Sequence, residues 1–213
     1  MLRLRLVAAL AVILPLIFFP ASDIEAGKPR VYRIAGAAKD EKGKTVPAEQ
    51  LAFDGSGLKL TMRYLDGPAR LAALFSVLGR EIDLFPERSN ASRGFLVFAF
   101  SIENHAEGDL LFEPGQCRFI SDRLDAEFPL DYSSLYEILT SLPSGSPSLE
   151  EVKKAVFSEV ATIRPGGAVR KLLVFPAPRE ERFKEFEIRI GALHQSGGDL
   201  DATFKFKRFR VEP

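Results

Sequence analysis

The run GFLVFAFSIEN, residues 94–104, is nearly continuous in Phe, Leu, Val and Ile and constrains the fold more than any other stretch of the chain. Alternating apolar and polar residues mark a strand with one wet face, whereas an unbroken apolar run marks a strand buried on both faces or nearly so. RVYRIAG (30–36) and GLKLTMRYL (57–65) alternate with period two, which puts Leu58, Leu60, Met62 and Tyr64 on one face. The charged, turn-rich AAKDEKGKTVPAEQ between them reads as a surface loop. In GPARLAALFSVLGR, Pro68 suits a first helical position and Gly79 an end, so Leu71, Leu74, Phe75 and Leu78 form one stripe of a short amphipathic helix. That helix lies on the sheets or at their end.

Beyond residue 104, short strands in DLLFEP, QCRFISD and AEFPL are bounded by Gly, Pro or Asp and spaced about ten residues apart, the cadence of an all-β sandwich. A helical insertion over about 131–158 interrupts it. Leu135, Ile138 and Leu139 make one stripe there, and Ser148 can cap a second helix with Glu151 three residues on and Val152, Val156 and Phe157 apolar. Strands resume in VATIRP, AVRKLLVFP, EFEIRIGAL and LDATFKFKRF, with RPGG (164–167) as a tight turn. In the last strand Phe204 and Phe206 face one side and Lys205 and Lys207 the other, and the parity shift at Phe209 predicts a bulge or the strand end. No period of 20 to 50 residues repeats, which excludes a solenoid or propeller. The 213 residues suit one domain.

Residues 1–26 have the layout of a secretory signal peptide: Arg3 and Arg5 in a basic head, an apolar run from Leu6 to Phe19, then small residues. As helix the run is roughly 21 Å long at ~1.5 Å per residue, short of a bilayer span, and Pro15 interrupts it. Cleavage after Ala26 puts Ile24 and Ala26 at the recognition positions, with Ser22 the weaker alternative. An uncleaved N-terminal anchor is the other reading, and both place residues 28–213 outside the cytoplasm as a single β-sandwich domain with no further membrane span. Cys117 lies in the apolar alternation CRFIS and reads as a buried small hydrophobe, pairing between chains being the alternative.

The order FLVFAFSIEN, DLLFEP, CRFISD, AEFPL, a helical stretch, IRPGGAVRKLLVFP and EFEIRI resembles the immunoglobulin-like domains of exported bacterial proteins of unknown function. The likeness covers about residues 57–207 and rests on the strand ending Ile102, Glu103, Asn104, the Pro165–Gly166 turn, and the apolar strand ending Phe175, Pro176. It implies a mainly β fold, an immunoglobulin-like antiparallel β-sandwich with a short helical insertion, and no catalytic residue. The buried Trp and paired Cys of antibody-type domains are missing. The same residues have local reasons: Asn104 tolerates left-handed backbone and bonds to it, and Gly166 or Gly167 supplies the positive φ of a type II turn after Pro165.

Candidate chemistry is sparse. With 29 Lys+Arg against 29 Asp+Glu, the chain lacks the cationic surplus of a non-specific nucleic-acid binder. A Ser or Cys nucleophile needs a His base, and His105 and His194 are the two histidines, with no G-x-S-x-G near either. His105, His194 and Cys117 are too few for a nitrogen- or sulfur-ligated metal. Oxygen ligation of calcium could draw on Asp199 and Asp201 with Asp109 or Glu107, since i, i+2 spacing directs two carboxylates to one side, but acids capping a β-turn are commoner. Glu81, Asp83 and Glu87 in EIDLFPE read as a solvated loop. FKFKRFR (204–210) mimics an anion-binding stripe, yet its period makes the Phe residues core and the Lys residues guards of a sheet edge. NAS (90–92) fits a glycosylation acceptor in a host with that machinery.

No cofactor follows from any of these. The leading expectation is an exported, non-enzymatic protein that binds another envelope component, protein or lipid, through loops and the helical insertion. LFSVLG, DLFPE and the insertion with Tyr132, Leu135, Tyr136 and Leu142 carry more apolar residues than a sandwich end requires. The alternatives are an accessory module whose helices cap the open ends of the sandwich and, more distantly, a hydrolase.

Overall fold

A computed structural model describes residues 32–86, 94–141, 147–178, 183–195 and 198–211. The candidate signal segment, Glu87, the 90–92 sequon and Leu142 lie outside them. In chain order the strands are β1 (Tyr32–Lys39), β2 (Thr45–Ala48), β3 (Leu51–Gly55), β4 (Leu58–Leu65), β5 (Phe95–Asn104), β6 (Leu110–Phe112), β7 (Cys117–Ser121) and β8 (Ala126–Glu127). β9 (Ala161–Ile163), β10 (Ala168–Pro176), β11 (Glu185–Gln195) and β12 (Gly198–Arg210) follow. The helices are α1 (Gly67–Leu78), α2 (Tyr132–Thr140) and α3 (Leu149–Ala155).

The strands form two antiparallel sheets. One has the order β10-β5-β4-β3; the other runs β2-β1-β12-β11-β6-β9, with β7 pairing β11 and β8 pairing β7. β11 changes partner along its length, meeting β7 as far as Ile190 opposite Cys117 and β6 from Leu193 opposite Phe112. A bulge between Ile190 and Leu193 makes the switch.

Period two on each strand builds the space between the sheets. Leu58, Leu60 and Met62 of β4, Phe98, Phe100 and Ile102 of β5 and Phe175 of β10 face Phe112, Phe119, Phe186, Ile188, Phe204 and Phe206 of the larger sheet. Phe98 is the hub, with ring centroids 5.1 Å from Phe206, 5.6 Å from Tyr64 and 6.0 Å from Phe175. Cys117 is buried here, and burial pushes its thiol far above its ordinary pKa.

The other face of β5 and β10 is also covered. Val97, Leu172 and Val174 pack with Leu74 of α1, Leu135 of α2 and Val152 and Ala155 of α3, so the 94–104 run is buried on both sides as its composition requires. The helices thus form a third layer on the four-stranded sheet, which is the first of the two placements read for α1 and differs from the alternative of caps on the open ends. Leu130 N–H donates to Val174 O at 2.8 Å and Phe157 N–H to Leu172 O at 2.9 Å, closing the edge of β10.

Local readings change or resolve at several points. The surface-loop stretch contains β2 and leads into β3, because Asp40 accepts from the Lys42 and Lys44 N–H groups and turns β1 back on itself. β12 is flanked by β11 and, over Phe206–Arg210, by β1, so Lys207 stands on the solvent face of an interior stretch and guards no edge, while Lys205 lies one residue beyond the β1 register. At Phe209 the parity shift marks the strand end and no bulge: β12 and its pairing with β1 stop at Arg210, and Arg208 takes the inward position with its guanidinium 4.1 Å over the Phe183 ring. Asn104 is the buried end of β5, outside the left-handed region. Its amide donates to Gly108 O at 2.9 Å and Ile163 O at 2.8 Å, and its carbonyl accepts from Ala106 N–H. The Arg164–Gly167 turn is as expected, with Gly166 at φ 71° and Gly167 N–H bonded to Arg164 O.

Candidate functional site

The helical layer presents apolar side chains on its free side. α1 starts where Asp66 Oδ1 accepts from Ala69 N–H at 3.1 Å and stops at Gly79, φ 67°. Leu74 is buried and Leu71 and Leu78 are half-buried, but Phe75, expected on the same stripe, is 54% exposed beside exposed Val77. α2 is capped by Asp131, whose Oδ1 accepts from Ser134 N–H at 2.8 Å, and those bonds hold its carboxyl below the usual range. Leu135 is fully buried, so of the four expected contact residues it belongs to the core; Tyr132 and Tyr136 are 44% and 55% exposed.

α3 carries the capping box read from its sequence. Ser148 N–H donates to Glu151 Oε2 at 2.7 Å and Glu151 N–H to Ser148 Oγ at 3.3 Å, and the bonds from Ser148 lower the Glu151 pKa. Glu151 also pairs with Arg80 at 2.8 Å, tying the end of α1 to the start of α3. Lys153 sits 5.3 Å over the Tyr132 ring and pairs with Glu159 at 2.8 Å. Lys171 donates to Lys153 O at 2.7 Å, and desolvation lowers its pKa.

A buried ion pair, which the sequence reading missed, locks α1 to the following loop. Arg70, 4% exposed, donates to Asp83 through Nε at 2.9 Å and Nη2 at 2.7 Å, and Asp83 accepts from Phe85 N–H. Asp83 is therefore a structural partner, where a solvated loop was expected. Only an arginine in an otherwise apolar helix signals this.

A second surface lies across the outer face of the larger sheet. An open concavity of about 660 Å³ there is lined by Gln116, Arg118, Glu187, Arg189, Asp201 and Lys205, among others. Its floor is the β11 bulge, where a Cβ on Gly191 would stand 3.0 Å from Gln116 O. His194 and Asp199 pair at 2.6 Å on the β11–β12 hairpin, both well exposed. His105 lies 3.4 Å from Glu103 on another turn. Among the described residues no three His, Cys, Asp or Glu side chains come together as metal ligands, so Asp199 and Asp201 are not joined by Asp109 or Glu107.

No protein-family model matches the chain, and no curated protein matches its sequence. Among solved structures it is similar to the yjhA protein from Bacillus subtilis, at 12% identity and a TM-score of 0.42 over 72% of this chain and 93% of that one. It is also similar to a functionally unknown protein from Listeria monocytogenes EGD-e, at 11% identity and a TM-score of 0.39 over 87% of this chain and 89% of that one.

Proposed function

We propose that the chain is an exported, non-enzymatic protein whose immunoglobulin-like sandwich carries a helical layer that binds another protein of the cell envelope. The observation that carries this reading is the exposure of Tyr132 and Tyr136 on α2, a helix anchored through buried Leu135. Tyrosine supplies a large amphipathic contact surface at low conformational cost, and it is enriched at protein interfaces. Protein is favoured over lipid because the rings stand among both signs of charge, Glu137, Glu150 and Lys153, whereas an anionic bilayer calls for a cationic rim. The basic head and apolar run of residues 1–26 support export.

The test is a pull-down from envelope extract with the purified protein beside a Tyr132→Ser, Tyr136→Ser variant of unchanged thermal stability. A partner kept by the wild type and lost by the variant supports the reading. Equal retention, or none, overturns it in favour of an accessory module whose helices serve only to cover β5 and β10. N-terminal sequencing of protein recovered outside the cytoplasm should start at Gly27.

A further inference from the structure

We propose that the concavity on the outer face of the larger sheet binds an acidic peptide segment of a partner, with Arg118 and Lys205 as its anion receptors. This surface belongs to the opposite sheet from the helical layer, and the inference does not rest on the function proposed for that layer.

Charge pairing on this face is selective. Lys207 pairs with Glu185 at 2.8 Å, and Arg189 donates through Nε to Glu187 at 2.6 Å. Glu187 is the residue directly opposite Lys205 in the β11–β12 register, so the carboxylate best placed for Lys205 is already engaged by Arg189. Among the described residues neither Lys205 nor Arg118 makes an ion pair. Both line the same concavity.

Arg118 also has an aromatic neighbour. Its guanidinium carbon lies 5.1 Å from the Phe128 ring centroid, a cation–π contact that uses the face of the group and leaves its N–H donors for a carboxylate. A guanidinium presents those donors as a planar fork matched to a carboxylate, which a lysine ammonium does not.

Glu187 is neutralised by Arg189, and Asp201 lies at the Gly191 bulge. The glycine keeps the floor open, since a side chain there would run into the Gln116 carbonyl.

Spacing selects the ligand. Arg118 on β7 is in register with Arg189 and Thr203, and Lys205 on β12 stands two residues further along, so two strand spacings of ~4.8 Å and a two-residue rise of ~7 Å put their backbones about 12 Å apart. A ligand with more than one carboxylate fits that span, and same-face side chains of an extended peptide recur every ~7 Å.

The test is fluorescence anisotropy of labelled hexaglutamate with the purified protein at low ionic strength, with labelled hexaglutamine as the neutral control. Hexaglutamate should bind, weaken as salt is raised, and lose about tenfold in affinity in an Arg118→Gln, Lys205→Gln variant, through loss of two charge-assisted contacts. Lys207→Gln, which removes a lysine already paired, should bind as the wild type does. Thermal melts establish that both variants fold. The proposal is overturned if hexaglutamate binds no better than hexaglutamine, or if the double variant retains wild-type affinity. Displacement of bound hexaglutamate by an equal concentration of inorganic phosphate overturns the peptide assignment and gives the site to a small anion.

Discussion

The two faces of β5 are filled by different chemistry. Its inner face meets another sheet and is packed with phenylalanine: Phe98 and Phe100 against Phe112, Phe157, Phe186, Phe204 and Phe206. Its outer face meets helices and is packed mainly with aliphatics, Val97 with Leu74, Leu135, Val152 and Val174, apart from Phe85 and the half-buried Phe95. Two sheets about 10 Å apart present flat surfaces that large rings can bridge, while a helix brings its own ridge and needs smaller side chains beneath it. The inner space is closed by rings; the outer layer is held by mainly aliphatic packing, caps and an ion pair, with Phe75, Tyr132 and Tyr136 turned to solvent.

The largest test of that contrast is Phe98→Ala. It removes the ring that meets Tyr64, Phe175, Phe186 and Phe206 and should lower stability by about 3–5 kcal/mol in denaturant unfolding, through lost burial and a cavity that surrounding rings cannot fill. A loss below about 1 kcal/mol would mean that the inner face is not the principal core. On the outer face Asp83→Ala strips Arg70 of its bidentate partner and should lower stability by about 3 kcal/mol, the lower end for such a pair because Asp83 is partly exposed. Asp83→Asn, which keeps an acceptor oxygen for Arg70, should lose less. Equal losses would show that Asp83 acts through its charge on Arg70 and not through its acceptor geometry at Phe85 N–H.

At the rim of the inner space, Asn104→Ala leaves the Gly108 and Ile163 carbonyls and the Ala106 N–H without their present partner. About 2 kcal/mol should be lost, since unpaired buried polar groups carry a desolvation penalty. Exchange protection should fall first at β9 and the 105–108 turn. Uniform loss across both sheets would instead make Asn104 part of the central packing.

These residues also show what the sequence made legible. The run containing Phe98 could be placed because an apolar stretch without alternation has few other uses, and the Ser148 capping box because its spacing is local. Phe204 and Phe206 were separable from their lysines by period alone. What escaped depends on pairing across distance. Asp83 reads as solvated until Arg70, thirteen residues earlier, is brought beside it by the fold. Lys207 reads as an edge guard until Ala35 of β1 is known to pair with it. Leu135 is legible through its stripe with Ile138 and Leu139, whereas the exposure of Tyr132 and Tyr136 follows only from how α2 docks. The concavity is a property of three strands and a bulge and has no continuous signature in the sequence.

The smallest effect expected from this contrast concerns acid. Asp131 and Glu151 hold the N-termini of α2 and α3, and hydrogen bonds from the first turn, those at Ser134 and Ser148 foremost, lower both carboxyl pKa values in the folded protein. A group whose folded pKa is depressed contributes stability that is fully present above its unfolded pKa, near 4 for carboxylates, and is lost as pH falls through the folded value. The helical layer should therefore loosen before the sandwich when pH drops below about 4, while the Phe-packed space, with no carboxylate among its core side chains, stays closed. Hydrogen exchange followed from neutral pH downward, corrected for the intrinsic rate, should show α2 and α3 losing protection while β5 and β12 keep theirs. Asp131→Asn with Glu151→Gln should flatten the difference, because both substitutes keep an acceptor but cannot be protonated in that range. Simultaneous loss from helices and strands would mean that the two faces of β5 open as one cooperative unit, and the third layer would then be as integral to the fold as the sheets.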